Sequence, residues 1–274
     1  MRAALLQMTG GIDPAANAAT IVGAIEEAAS GGAAMLFTPE MSNIVDRDRA
    51  RAATAIVAED DDRVLAAARE AARRHRIWVH FGSIAVGRPD GAFANRALLI
   101  DADGTIRARY DKLHMFDVDL PTGESWRESA AYRAGETATV VETPLGRLGL
   151  SICYDLRFPA LYAALAQAGA ELFAIPAAFT RPTGEAHWHT LLRARAIENG
   201  AFVIAAAHTG THADGRATWG HSLAIDPWGD VLLDMGEAAG LAFVEIDRSR
   251  VAEVAARIPV RRHARPIPPV VPER

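Results

Sequence analysis

The chain has a single cysteine, Cys153, among 274 residues, so no disulfide can form within it and a cross-linked scaffold is excluded. Long apolar runs are also missing. The alanine-rich ALYAALAQAGA is broken by polar residues and glycine well short of the roughly 20 positions that a membrane-spanning helix needs. The opening MRAALLQMTGGIDP lacks a signal-like apolar core and a small-residue cleavage site, so we expect no export, no membrane association and a reducing, cytoplasmic location. Neither charge sign dominates: 29 basic and 34 acidic residues give a net charge of −5, and the basic ones are spread along the chain apart from a short run near the end. Nucleic acid is therefore not an expected partner. No phosphate-binding loop, convincing G-x-G-x-x-G or solenoid repeat is found, so no nucleotide cofactor is implied. His187 and His189 stand two apart in a predicted helix and so face different ways, which argues against a metal pair, and no metal or other cofactor is required.

Half of the residues are hydrophobic, enough to bury one substantial core, and we expect one domain over residues 1–274. Short apolar or β-branched runs alternate with alanine-rich helical stretches, the pattern of a layered α/β fold. Strands are predicted to begin at Ala3, Ala34, Ile77, Ala94, Ala138, Arg147, Leu172, Phe202, Gly220, Asp230 and Leu241. Helices are predicted over 14–29, 60–75, 159–168, 186–199 and 248–257. Asp103-Gly104 and Pro227-Trp228-Gly229-Asp230 each lie between strand-like runs and read as hairpin turns. Residues 111–135 show no sustained period and are expected to be a long ordered loop, a length more common in functional segments than in simple connections. From about residue 259, PVRRHARPIPPVVPER is too rich in proline to continue a helix and is expected to be an extended tail.

Two polar groups fall at the carboxyl ends of predicted strands, where open α/β sheets place their sites: Glu40 after AMLFTP, and Cys153 closing RLGLSIC. A thiol attacking a carbonyl needs a proton acceptor, a cradle for the oxyanion and exclusion of water. Glu40 can be the acceptor, Lys112 in RYDKLHMFDVD the cation, and Tyr154, following the cysteine, can offer its backbone N–H. Each also has an ordinary reading. Cys153 alone would be a buried packing thiol, Glu40 a cap for the helix or loop after it, and Lys112 a solvated loop charge. Trp188, Leu191, Leu192 and Arg195 follow helical spacing and read as a packing or interface face.

The segments FTPEMSN, YDKLHMFDVDLP, RESAAYRAGE, GRLGLSICYDLRFP, TGEAHWHTLLRARAIEN and WGHSLAIDPWG, in this order over nearly the whole chain, resemble the nitrilase superfamily of carbon–nitrogen hydrolases. The resemblance implies a four-layer α-β-β-α sandwich, at least a homodimer, and a Glu-Lys-Cys triad at Glu40, Lys112 and Cys153, with the Tyr154 N–H in the oxyanion cradle. It also implies a supporting second glutamate at Glu128, for which Glu124 and Glu136 are nearby alternatives. HMFDVD, CYDLRFP and TGEAHWHTLLRARAIE are most similar to the branch holding the deaminated-glutathione amidases and ω-amidases, with the run LLRARAIE leaning to the former. In that branch Arg157 matches a carboxylate-binding arginine, Thr183 a second carboxylate contact, and Phe179 a pocket wall. Arg181, in TRPTGEAHWH, replaces a commonly uncharged stretch. The implied activity is hydrolysis of a small carboxylate-bearing amide to acid and ammonia through a thioester. N-carbamoyl amino acid hydrolysis, nitrile hydrolysis and a catalytically silent binding protein are the rivals. A papain-like peptidase is a poor fit, because its cysteine should lie near the mature chain start with histidine and asparagine far downstream.

Overall fold

The computed structural model describes residues 1–119, 123 and 125–272. Its first half runs β1 (Arg2–Gln7), α1 (Pro14–Ser30), β2 (Met35–Phe37), α2 (Arg49–Ala55), α3 (Arg63–His75), β3 (Trp78–Gly87), β4 (Phe93–Ile100) and β5 (Ile106–Asp111). A small hairpin, β6 (Asp117–Asp119) and β7 (Ser125–Arg127), leads into β8 (Val140–Thr143), β9 (Gly146–Leu150), α4 (Pro159–Gln167), β10 (Leu172–Ala174) and α5 (Arg181–Asn199). Then come β11 (Phe202–Ala205), β12 (Thr209–Thr211), β13 (Ala217–Trp219), β14 (Leu223–Ile225), β15 (Val231–Asp234), β16 (Gly240–Glu245), α6 (Ser249–Arg257) and α7 (Val260–His263).

Two six-stranded sheets form, in the orders β16-β1-β2-β3-β4-β5 and β15-β14-β11-β10-β9-β8. In each, three consecutive central strands are parallel (β1-β2-β3 and β9-β10-β11) and the outer pairings are antiparallel. The alternation along β1 explains the layering. Ala4 and Leu6 pack with Ile21, Ile25, Leu65 and Ala68 of α1 and α3, whereas Ala3 and Leu5 join the core shared with the second sheet. On the far side α4 and α5 contribute Leu161, Leu165, Trp188 and Leu192 to that same core. The result is helix, sheet, sheet, helix, the expected sandwich.

Local chemistry sets the helix starts. Asp13 caps α1 by accepting from the Ala15 N–H, with Pro14 preset in the first turn, and Asp62 caps α3 by accepting from Leu65. All eleven predicted strands and five predicted helices are present, with shifted ends. The helix predicted from Asp60 starts at Arg63, behind a single 3-10 turn, and α5 starts five residues early because Pro182 suits a first turn. Among the departures are β5, where Arg107 and Arg109 alternate with apolar residues on a sheet edge, and α2, a short helix capped by Asp48. The expected loop over 111–135 holds the β6–β7 hairpin, and the expected tail contains α7, from which Arg261 donates to the carbonyl of Asn199 at 2.8 Å.

Candidate active site

Glu40 lies just past β2 and Cys153 just past β9, so two parallel strands from different sheets deliver them to one end of the sandwich. Both are held by unusual backbone. Cys153 has φ +46° and Met41, next to Glu40, has φ +51°, a left-handed conformation that side chains with a Cβ rarely adopt. Hydrogen bonds over-determine the Cys153 turn: its N–H reaches the Pro176 carbonyl at 2.9 Å, and fully buried Asp155 accepts from the Ile152 N–H (2.9 Å), the Tyr110 hydroxyl (2.7 Å) and the His114 N–H (3.0 Å). Because His114 follows Lys112 so closely, Asp155 also fixes the lysine segment against the cysteine turn. The Tyr154 N–H has no backbone hydrogen-bond partner among the described residues.

Lys112, Glu40 and Glu128 form an ionic cluster in which Lys112 and Glu40 are buried and Glu128 is partly so. The ammonium lies 3.0 Å from Glu40 Oε1, and 2.9 and 3.1 Å from the two oxygens of Glu128. Asn95 donates to both carboxylates, at 2.9 and 3.2 Å, the Ala178 N–H meets Glu40 Oε2 at 2.9 Å, and the Phe116 N–H meets Glu128 Oε2 at 2.7 Å. Burial opposes the Glu40 carboxylate, but the charge of Lys112 and the polar contacts around the carboxylate, Asn95 among them, together outweigh it and hold the acid below its ordinary range. Burial also opposes the ammonium of Lys112, yet Glu128 and Glu40 keep it protonated well above the usual lysine range. The thiol of Cys153 is pushed well up, first by burial and then by the charge of Glu40. The resting pair is therefore a neutral thiol beside a carboxylate, and a proton can pass between them only as sulfur gains a new bond.

These groups lie in the wall of a cavity of about 350 Å³ that Tyr154, Phe179 and Thr183 also line. Thr183 sits in the first turn of α5, its hydroxyl 2.7 Å from that of Thr180, and the Phe179 ring packs 4.8 Å from Trp188. Arg157 does not line the cavity. Its guanidinium lies behind the wall, 5.3 Å from the Phe179 ring and 6.0 Å from that of Tyr154, with Nη1 3.3 Å from His187 Nδ1. Arg47, Arg49, Arg127 and Arg216 line it instead. Of the alternatives to Glu128, Glu136 is exposed and away from the cavity, and Glu124 lies outside the described residues.

Sequence reading missed Asn95, whose signal was a polar residue inside the apolar run ANRALLID, and His208. His208 is fully buried, is kept neutral because burial pushes its pKa down to about 4, and donates from Nε2 to the Glu40 carbonyl at 2.7 Å. The cavity arginines came from segments without a readable pattern.

Comparison with known proteins agrees with this geometry. The model of the carbon–nitrogen hydrolase family matches residues 2–256. The chain belongs to the carbon–nitrogen hydrolase family. Within this nitrilase superfamily it is 41% identical to the deaminated glutathione amidase of Yersinia enterocolitica, over 98% of this chain and 94% of that one. It superposes on the crystal structure of the C. elegans NitFhit protein with a TM-score of 0.89 and 41% identity, covering 96% of this chain and 65% of that longer fusion. It also resembles a glutamate-to-glutamine variant of the amidase from Nesterenkonia sp. AN1 in which acrylamide has added to the active-site cysteine (30% identity, TM-score 0.77, 94% and 98% coverage). This carbon–nitrogen hydrolase is accordingly a cysteine-dependent amidase acting on a non-peptide C–N bond. None of its described helices is long and apolar enough to cross a membrane.

Proposed function

We propose that Cys153 attacks the carbonyl of a small carboxylate-bearing amide, most closely deaminated glutathione, while Glu40 takes the thiol proton. The reading rests chiefly on the Glu40–Lys112–Glu128 cluster sharing one cavity wall with the cysteine. As the S–C bond forms, the oxyanion is received by the Tyr154 N–H and by the third proton of Lys112, whose other two are directed at Glu40 and Glu128. Collapse breaks the C–N bond, and Glu40 returns its proton to the departing amine. A water, deprotonated by Glu40, then adds to the thioester, and its breakdown releases the acid and restores the thiol. Glu128 acts on Lys112 as a positioning residue.

The leaving group depends on the substrate. Ammonia leaves a primary amide such as α-ketoglutaramate, but the amide nitrogen of deaminated glutathione carries the rest of the peptide, so cysteinylglycine leaves there. The expectation of ammonia is corrected to that extent. Four cavity arginines favour an anionic substrate, and the name of the Yersinia relative favours deaminated glutathione. Phe179 and Thr183 are proposed to contact the substrate, and Arg157 to reach its carboxylate past the Tyr154 and Phe179 rings. We further infer that the chain acts as one domain, since a shared core joins both sheets, and as a homodimer or larger assembly in a reducing compartment. Exposed Ile197, Trp228, Val231 and Leu232 on α5 and the β14–β15 hairpin are suited to such an interface.

The test compares wild type with Cys153→Ala on deaminated glutathione, α-ketoglutaramate, an N-carbamoyl amino acid and a nitrile. Release of 2-oxoglutarate and cysteinylglycine by the wild type alone is the expected result. Carbon dioxide with ammonia from the carbamoyl compound alone would make it a carbamoylase, and turnover by Cys153→Ala would remove the cysteine mechanism.

A further inference from the structure

Three groups with metal-ligating atoms converge away from the cavity. His189 Nε2 on α5 lies 2.9 Å from Asp234 Oδ2 at the end of β15, and His221 Nδ1, just before β14, lies 2.9 Å from Asp234 Oδ1. The three ligand atoms fall within 4.8 Å of one another. We infer that His189, His221 and Asp234 bind one divalent transition-metal ion of the zinc class, clamping α5 to the β14–β15 hairpin.

Two imidazoles and one carboxylate suit a borderline ion such as zinc, whereas magnesium and calcium prefer all-oxygen sites. Two of the three ligands are fixed before any ion arrives. Asp234 Oδ1 also accepts from the Gly236 N–H at 2.9 Å. His221 is held with φ +52° by its N–H on the Gly236 carbonyl (2.7 Å) and by Trp188 Nε1 on its own carbonyl (2.7 Å), and the Trp219 ring stacks on its imidazole at 4.7 Å. A histidine in the left-handed region is an outlier that its surroundings must enforce, and here they aim its ring at Asp234. His189 supplies the adaptable third ligand from an exposed helix face.

Each imidazole now directs a ring nitrogen at the carboxylate. The other ring nitrogen of each has no hydrogen-bond partner among the described residues, so the proton can move there and free a lone pair for the ion. A tetrahedral zinc with bonds of roughly 2.0–2.1 Å needs its ligand atoms about 3.3 Å apart, so closure asks only for a small swing of the His189 ring. The remaining position would hold water.

The test uses the full chain carrying Cys153→Ala, which removes the competing thiol, after chelation and near neutral pH. Zinc chloride is titrated by calorimetry, and cobalt(II) is followed by its visible absorption and by quenching of tryptophan fluorescence through Trp219. One ion per chain with micromolar or tighter affinity is expected, weakened at least about tenfold by His189→Gln and by Asp234→Asn. His187→Gln, which faces Arg157 instead, should leave it unchanged. His189 lies on an exposed face, so its variant should fold even if a change at His221 did not. Absence of saturable zinc binding below about 1 mM, or binding indifferent to both His189→Gln and Asp234→Asn, would overturn the site and leave a metal-free His–Asp–His network.

Discussion

Replacing Lys112 by methionine keeps the volume of the side chain and removes the cation held between buried Glu40 and partly buried Glu128. Glu40 and Glu128 lie 3.0 and 2.9 Å from the same ammonium, so their nearest oxygens are no more than about 6 Å apart. At that separation and an effective dielectric near 20, two negative charges repel by about 3 kcal/mol. Breaking a buried ion pair from one side costs about 3–5 kcal/mol, and that is the deficit expected for Lys112→Met at pH 8. The deficit should shrink toward acid. Without the cation, one carboxylate of the folded variant binds a proton more readily than in the unfolded chain, so its raised pKa adds stability at low pH that is lost as pH rises. In the wild type the shift of Glu40 is downward, so its contribution is present above the ordinary glutamate value and is lost only below it, outside a window of pH 5 to 8. Urea denaturation of both proteins at pH 5 and pH 8 measures the difference. We expect about 2 kcal/mol or more to be recovered at pH 5, with amide hydrolysis abolished at both. A deficit equal at the two pH values would refute the electrostatic account of the cluster.

Strain at Cys153 predicts that Cys153→Gly, though as inactive as Cys153→Ala, is the more stable of the two by about 1 kcal/mol in denaturant, since only glycine occupies φ +46° freely. Equal midpoints would mean that the turn is not strained. Tyr110→Phe removes the 2.7 Å donor to buried Asp155 and should cost about 1–3 kcal/mol in thermal unfolding, with a fall in kcat as the cysteine turn loosens. Arg157→Ala should raise KM for carboxylate substrates by about 10 to 100-fold while iodoacetamide still alkylates Cys153. An unchanged KM would transfer the carboxylate to the arginines that line the cavity, which Arg47→Ala and Arg216→Ala would then locate.

Sequence alone determined the layered α/β class, because apolar runs such as that of β1 alternate with the alanine-rich stretches of α1 and α3, while the four layers were implied by the family resemblance. The sequence also brought Glu40 and Cys153 forward as candidates, because both follow apolar strands and strand ends are where backbone can turn a polar group toward a cleft, while their roles were implied by the family resemblance. Weakly patterned or polar elements were hidden: β5 is an edge strand one third arginine, and α2 and the β6–β7 hairpin are too short to show a period. Only the tertiary structure decided that Asn95 ties Glu40 to Glu128, that Arg157 stands behind the cavity wall while four other arginines line it, and that His189 meets His221 and Asp234. Each of these joins residues from separate elements. Their distances depend on how two sheets stack and how loops cross their ends, which no periodicity along the chain encodes.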